Sequence, residues 1–218
     1  MIKQAASHSI IGRAQKQEYV TIHTINIRDF AINKHGQVDD APYGGGPGMI
    51  MMAEPIYKAF KSIDKDISHR LNGEISHRLN GELPLIYMSP KGRKFNQAIA
   101  QELSQLKEMA ILCGHYEGVD ERIINSIVTD EISIGDYILT GGELASLVVI
   151  DAVSRFIPCV LGNGESVLNE SFSCGNILEH PHYTRPAEFM GQKVPDILLS
   201  GHHENIRKWR EEMSKERI

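Results

Sequence analysis

The chain has 218 residues, 23 Lys+Arg against 28 Asp+Glu, and 41% hydrophobic residues, a balance that excludes wholesale disorder and gives enough length for one core without staples. Its three cysteines, Cys113, Cys159 and Cys174, are odd in number and far apart, which argues against a disulfide framework and fits a reduced compartment. The longest apolar stretch, residues 144–161, is broken by Asp151, Arg155 and Pro158, and Met1-Ile2-Lys3-Gln4-Ala5 has no hydrophobic signal core, so neither a membrane span nor a leader is expected.

The charge is uneven. Residues 1–109 hold 14 Lys/Arg and 11 Asp/Glu, whereas residues 110–159 hold 2 and 8. A net charge of −5 argues against a non-specific nucleic-acid coat, but basic clusters stand at Lys91, Arg93, Lys94 and at Arg207, Lys208, Arg210. Taken alone, such clusters read as solvated faces.

In chain order, Tyr19 to Ile27 alternates β-branched and polar residues and reads as a strand. Asp39 to Gly48 is a loop, because its glycines and prolines continue neither regular element. Met49 to Ile63 has helical spacing. ISHRLNGE at residues 67–74 is repeated at once at residues 75–82; two copies are too few for a solenoid and read as a duplication within a connection. Leu83 to Met88 is a strand ending in a turn at Ser89-Pro90-Lys91-Gly92, and Asn96 to Leu106 an amphipathic helix. Met109 to Cys113 and Glu131 to Leu139 are two more strands, each running into a glycine loop. Glu143 to Phe156 is a helix that stops before Pro158. Strand, glycine loop and helix in repetition argue an α/β fold with parallel strands, whose ligands bind beyond the strands' carboxyl ends. Residues 1–161 form the main domain. Residues 162–175 are polar and aperiodic, a linker or active-site loop, and residues 176–218, with a helix around Trp209, are too few for an independent core.

Single motifs say little about chemistry. Gly44-Gly45-Gly46-Pro47-Gly48 lacks the Gly-Lys-Ser/Thr of a P-loop and a full GxGxxG, so a tight turn is the better reading than a phosphate cradle for a hydrolase. His180-x-His182 and His202-His203 have neither cysteine partners nor a HExxH frame, so hydrogen-bonded histidine is the commoner role. There is no GxSxG elbow.

The loops are far more specific in combination. VDDAPYGGGPGM (residues 38–49), YMSPKG (87–92), LCGHYEGVDER (112–122), SIGDYILTGGEL (133–144), DAVSRFIP (151–158), HPHYTRP (180–186) and VPDILLSGHHENIRKWR (194–210) stand in an order that resembles the bacterial tRNA (guanine-N1-)-methyltransferases of the TrmD type, in the SPOUT class, over roughly residues 10–210. The resemblance implies an α/β SPOUT fold with a C-terminal deep trefoil knot and a small helical C-terminal domain at residues 176–218. Pattern reading could not reach a knot, because ordinary folds avoid them. It implies a cytoplasmic enzyme that moves a methyl group from S-adenosyl-L-methionine to N1 of the tRNA guanine immediately 3′ of the anticodon, working as a homodimer with shared active sites.

By the same resemblance the cofactor loops are Tyr87, Met88, Ser89 and Pro90; Gly114, Tyr116 and Glu117; and Ser133, Ile134, Gly135, Tyr137, Leu139, Gly141 and Gly142. Glu117 corresponds to a carboxylate that orients magnesium or the methionine ammonium. Arg155 matches the arginine that stabilises the charged purine. Glu170 matches the general base, where the family commonly has Asp before Ser-Phe and this chain has Glu170-Ser171-Phe172. Relatives usually open with a hydrophobic strand ahead of the segment at Gly12-Arg13-Ala14 and continue past Trp209-Arg210, so the chain looks short at both ends. The longer carboxylate and the short ends define the alternative: a truncated, catalytically silent relative that binds tRNA or cofactor.

Overall fold

The computed structural model describes residues 1–63, 83–162, 170–173 and 175–216. The octapeptide duplication lies outside the described residues. The chain divides into two compact units, Met1–Val160 and Leu161–Ile218.

The first unit is built on a parallel three-stranded sheet in the order β4-β3-β5, with β3 at Leu85–Lys94, β4 at Ala110–Cys113 and β5 at Asp130–Ser133. Ahead of it come α1 (Ile2–Ala6), α2 (Ser9–Lys16), a 3₁₀ turn at Ile27–Phe30, an antiparallel pair β1 (Asp39–Asp40) and β2 (Ile50–Met51), and α3 (Ala53–Lys61). Helices α4 (Gln97–Ser104), α5 (Glu121–Ile127) and α6 (Glu143–Ser154) follow β3, β4 and β5 in turn. This is the α/β pattern that the alternating elements imply.

The continuous apolar run Leu85-Ile86-Tyr87-Met88 has a simple cause. Leu85 and Tyr87 join Met51, Ile56, Phe60, Leu112, Ile123 and Ile127 on one face of the sheet. Ile86 and Met88 join Ile99, Leu103, Ile132, Val149 and Val153 on the other. With helices covering both faces, a parallel strand has no polar side to show. Asn96 starts α4 by accepting from the Ile99 N–H at 3.0 Å, and Asp120 starts α5 by accepting from the Arg122 N–H at 2.9 Å. Ile132 is fully buried at the centre of the second face. Ile132→Ala should therefore cost about 2–5 kcal/mol, read as a lower urea midpoint with an unchanged slope.

Three expectations need correction. β3 does not end at Met88. It resumes after Ser89–Gly92 and runs to Lys94, with Lys94 opposite Ser133, but Met88 and Arg93 both stand opposite Ile132, so the four residues between them are looped out of the ladder where the turn is expected. β5 stops at Ser133 rather than at Leu139, since Gly135 takes φ 146°, outside the range of a strand residue. Residues 20–26 form no ladder with any described residue, although burial alternates, with Val20, Ile22 and Thr24 half-buried and Thr21, His23 and Ile25 exposed.

The second unit contains α7 (Asp196–Leu199), α8 (His203–Met213) and two small antiparallel pairs, β6 (Ile177–Leu178) with β9 (Lys215–Glu216) and β7 (Glu188–Phe189) with β8 (Gln192–Lys193). No helix among the described residues is long and apolar enough to cross a membrane.

Candidate active site

The carboxyl ends of the three parallel strands carry the loops singled out above. Tyr87, Met88 and Ser89 are buried within β3 and Pro90 is exposed. Gly114 to Gly118 follows β4 directly, and Ile134 to Gly142 links β5 to α6.

The second and third loops interlock through backbone. The Gly142 N–H donates to the Gly114 carbonyl at 2.9 Å, and His115 bridges Gly141. A Cβ on Gly142 would lie 2.8 Å from the Cys113 Cα, and one on Gly141 2.6 Å from His115 Cε1. These positions are therefore glycine for loop-to-loop packing. Gly114 serves the first loop in the same way, since its Cβ would meet the Tyr87 hydroxyl at 3.0 Å. Burial raises the pKa of the Tyr87 phenol, with Glu131 and Glu121 adding to the effect, so it stays a neutral donor. Within the third loop Ser133 Oγ accepts from the Gly135 N–H at 3.2 Å, and Tyr137 N–H donates to the Gly135 carbonyl at 3.0 Å. Ile138 and Leu139 make no hydrogen bond to another described residue, which leaves two main-chain donors on the exposed loop.

Glu117 is tied by its N–H to the Met49 carbonyl at 2.9 Å, and Gly48, at φ 85°, lies so close that a Cβ would stand 2.4 Å from Glu117 Cγ. The glycine-rich segment thus abuts the second loop with its last glycine. Tyr116 adopts φ 60° and receives a bond from Arg28 at 3.1 Å.

Sequence reading missed two side-chain contacts, one that holds these loops and one that ties β3 to its neighbours. His115 Nε2 lies 2.5 Å from Glu143 Oε1, joining the second loop to the start of α6. Arg93 forks onto Glu102 and Asp130, with its NH2 3.0 Å from Glu102 Oε1 and 2.7 Å from Asp130 Oδ2. The only signal for either was an opposite charge far away in sequence. The basic clusters are correspondingly occupied: besides Arg93, Lys94 pairs with Asp136, Arg207 with Glu211 and Lys208 with Glu204. These are exposed pairs, so a phosphate can compete for the cations at little cost.

Arg155 caps α6 at its carboxyl end, half-buried, with its N–H on the Asp151 carbonyl at 3.3 Å. Glu170 belongs to the second unit. Its carbonyl accepts from the Ser173 N–H at 3.1 Å, and the turn is pinned where Phe172 N–H reaches the Ile177 carbonyl at 2.8 Å and Ser171 Oγ accepts from the Glu179 N–H at 3.0 Å. Near it in sequence, Glu179, His180 and His182 bring three potential ligand atoms within 4.8 Å of one another, and His182 Nε2 lies 3.2 Å from Glu179 Oε1.

Cys113, at the end of β4, has its thiol pushed up to about 11 by burial, with Glu143 adding to the rise and a hydrogen bond with Ser146 opposing it. The unfolded thiol ionises first, so this group's stabilising contribution is whole below about pH 8.5 and falls away as pH rises towards 11. At pH 8 iodoacetamide should modify exposed Cys159 at least about tenfold faster than Cys113, as mapped by peptide mass spectrometry.

Comparison with known proteins gives these loops a context. The family model for tRNA (Guanine-1)-methyltransferase TrmD matches residues 1–218. Curated proteins named tRNA (guanine-N(1)-)-methyltransferase are similar over nearly all of the chain. The Staphylococcus haemolyticus protein is 50% identical over 212 residues, 97% of this chain and 80% of its own length. Those of Brevibacillus brevis and Clostridioides difficile are each 52% identical, covering 96% and 94% of this chain and 80% and 84% of their own lengths. The chain belongs to the TrmD family of tRNA (guanine-1)-methyltransferases.

Proposed function

We propose that the protein transfers a methyl group from S-adenosylmethionine to N1 of the tRNA guanine immediately 3′ of the anticodon. The observation that carries this reading is the convergence of three glycine-bearing loops at the carboxyl ends of β3, β4 and β5 in a chain of this family. The residues fit the cofactor. The loops present main-chain donors at Ile138 and Leu139 and the neutral side chains Ser89, Ser133 and Tyr137, a setting suited to the hydrogen-bonding edge of an uncharged adenine. In this reading Tyr87–Pro90, Gly114, Tyr116, Glu117, Ser133–Gly135, Tyr137, Leu139, Gly141 and Gly142 hold S-adenosylmethionine, and the loops are those of a trefoil knot. The cofactor supplies an electrophilic methyl group on a sulfonium sulfur.

Neutral guanine carries a proton on N1 and is a weak nucleophile there. Glu170 would accept that proton as N1 takes up the methyl group, the cofactor supplying the methyl and keeping the electrons of the bond it gives up. The charge that builds on purine O6 is met by Arg155, whose guanidinium stays charged and offers paired donors. Glu117 supplies one carboxylate for magnesium, an ion that commonly takes one or two protein carboxylates and fills its shell from substrate and water.

A homodimer accounts for exposed apolar side chains around the third loop: Tyr137 is 54%, Ile138 78%, Leu144 50% and Val148 47% exposed. Leu144 and Val148 are four apart and share one face of α6. The free thiols of Cys113 and Cys159 accord with a cytoplasmic location. The test is transfer of isotope-labelled methyl from S-adenosylmethionine to unmodified tRNA, with and without magnesium. Label in a tRNA with guanine 3′ of the anticodon, and none when that guanine is adenine, is the expected outcome. Absence of label in both would leave a silent, binding-only relative.

A further inference from the structure

His180-x-His182 has no sequence frame for a metal, but the fold brings it a carboxylate. Glu179, His180 and His182 each offer one ligand atom, and the three atoms lie within 4.8 Å of one another. His182 Nε2 is 3.2 Å from Glu179 Oε1. A tetrahedral ion with bonds of about 2.0–2.1 Å holds neighbouring ligand atoms roughly 3.3–3.4 Å apart, so this pair already has the spacing of two ligands.

The surroundings hold the donors in place. The Glu179 N–H donates to Ser171 Oγ at 3.0 Å, which anchors the carboxylate's backbone. His180 Nδ1 lies 3.2 Å from the Pro181 carbonyl, and a ring N–H directed there leaves the lone pair on Nε2. Metal-bound histidines characteristically donate their other ring N–H to such a carbonyl, which fixes both tautomer and orientation. The His180 ring is also 4.6 Å from that of His182 and 6.1 Å from that of Trp209. Both histidines line a cavity of about 200 Å³ with Tyr183, Trp209 and Arg210, so there is space for a further ligand.

We propose that Glu179, His180 and His182 form a binding site for one divalent ion of the zinc type, with a fourth position filled by water or an anion. The donor set decides the class of ion. Two imidazole nitrogens and one carboxylate oxygen suit zinc and its transition-metal neighbours, whereas magnesium and calcium take oxygen ligands. The ion replaces the proton between His182 Nε2 and Glu179 Oε1, and that proton leaves to solvent.

The size of the unit gives the ion a purpose. Leu161–Ile218 is shorter than the roughly 70 residues at which one apolar core suffices, and neither α7 nor α8 contains a buried residue. Units of this size commonly rely on a metal or another staple. An ion on these three residues fixes the segment that is tied to the Glu170-bearing turn by the Ser171–Glu179 hydrogen bond.

The test titrates zinc into the untagged, metal-stripped 218-residue chain by calorimetry, with cobalt as an absorbance probe of coordination. Neither S-adenosylmethionine nor tRNA is present, so the result is independent of the methyl-transfer reading. One zinc per chain and the intense visible bands of low-coordinate cobalt are expected, undisturbed by about a hundredfold excess of magnesium. His182→Ala and Glu179→Gln should each weaken zinc by about tenfold or more. The His182 side chain is 66% exposed, so its removal should leave the circular dichroism of the chain unchanged. Replacing His202 and His203 together by Ala, or Cys159 and Cys174 together by Ser, should leave zinc affinity within about twofold of the parent. Zinc held equally by His182→Ala and Glu179→Gln overturns the proposal. So does binding that is lost with the cysteines, displacement by magnesium, or no binding to the parental chain.

Discussion

Glu170→Ala is expected to lower single-turnover methyl transfer by roughly 10²- to 10⁴-fold, the range for loss of a general base. Arg155→Ala should lower it by roughly 10²- to 10³-fold, as for loss of a donor to a developing oxyanion. Both variants should bind S-adenosylmethionine within about threefold of the parent by calorimetry, because neither residue belongs to the cofactor loops. The double variant should be little worse than the poorer single one, since residues acting on one transition state are not additive. Glu170→Asp is the informative conservative change: it keeps the base and restores the carboxylate common in the family. It should retain most activity, whereas Glu170→Gln, similar in size but unable to accept the proton, should not. Transfer by Glu170→Gln at the parental rate would remove Glu170 from the mechanism and leave the cofactor loops untouched.

The apolar patch on α6 carries the second large effect. Leu144→Asp with Val148→Asp puts two carboxylates where the dimer reading buries side chains, and an unpaired buried charge costs several kcal/mol. Sedimentation should show the parental chain at twice the monomer mass and the double variant at the monomer mass. Transfer should fall by about a hundredfold or more, in line with the sensitivity of rate to placement of the reacting groups. Both residues are about half exposed in one chain, so the substitutions should leave its thermal unfolding close to the parental value when measured on the monomer. A parental chain that sediments as a monomer would refute the dimer, and with it the purpose given to Leu144 and Val148.

The fold was legible wherever burial on two faces left a mark on the sequence. LPLIYM announces a strand covered on both sides, and Leu85 to Met88 alternate between the two clusters as that requires. The strand's resumption after Ser89–Gly92 was not legible, because the pairing of Arg93 and Lys94 with Ile132 and Ser133 is contributed by residues about forty positions later. The strand pattern at Tyr19 to Ile27 is true to its alternating burial, yet a ladder also needs a partner, and none of the described residues provides one. In the site, motif order brought out the loops, but not what fixes them. The His115–Glu143 contact and the Arg93 fork join residues 9 to 37 positions apart; Arg93 stood out only as part of a basic cluster, and nothing in the sequence marked the partners. Gly141 and Gly142 carried a family meaning in the sequence; the structure adds the physical one, close approach of two backbones.

The central claim concerns one nitrogen of one base, and mapping the methyl group tests it most directly. Unmodified tRNA with guanine 3′ of the anticodon, incubated with the 218-residue chain and S-adenosylmethionine, should yield 1-methylguanosine by nucleoside mass spectrometry. Reverse transcription should stop at that position alone, because N1 methylation blocks base pairing. A methyl group on another atom or another nucleotide, or none under conditions where the cofactor binds, would contradict the account.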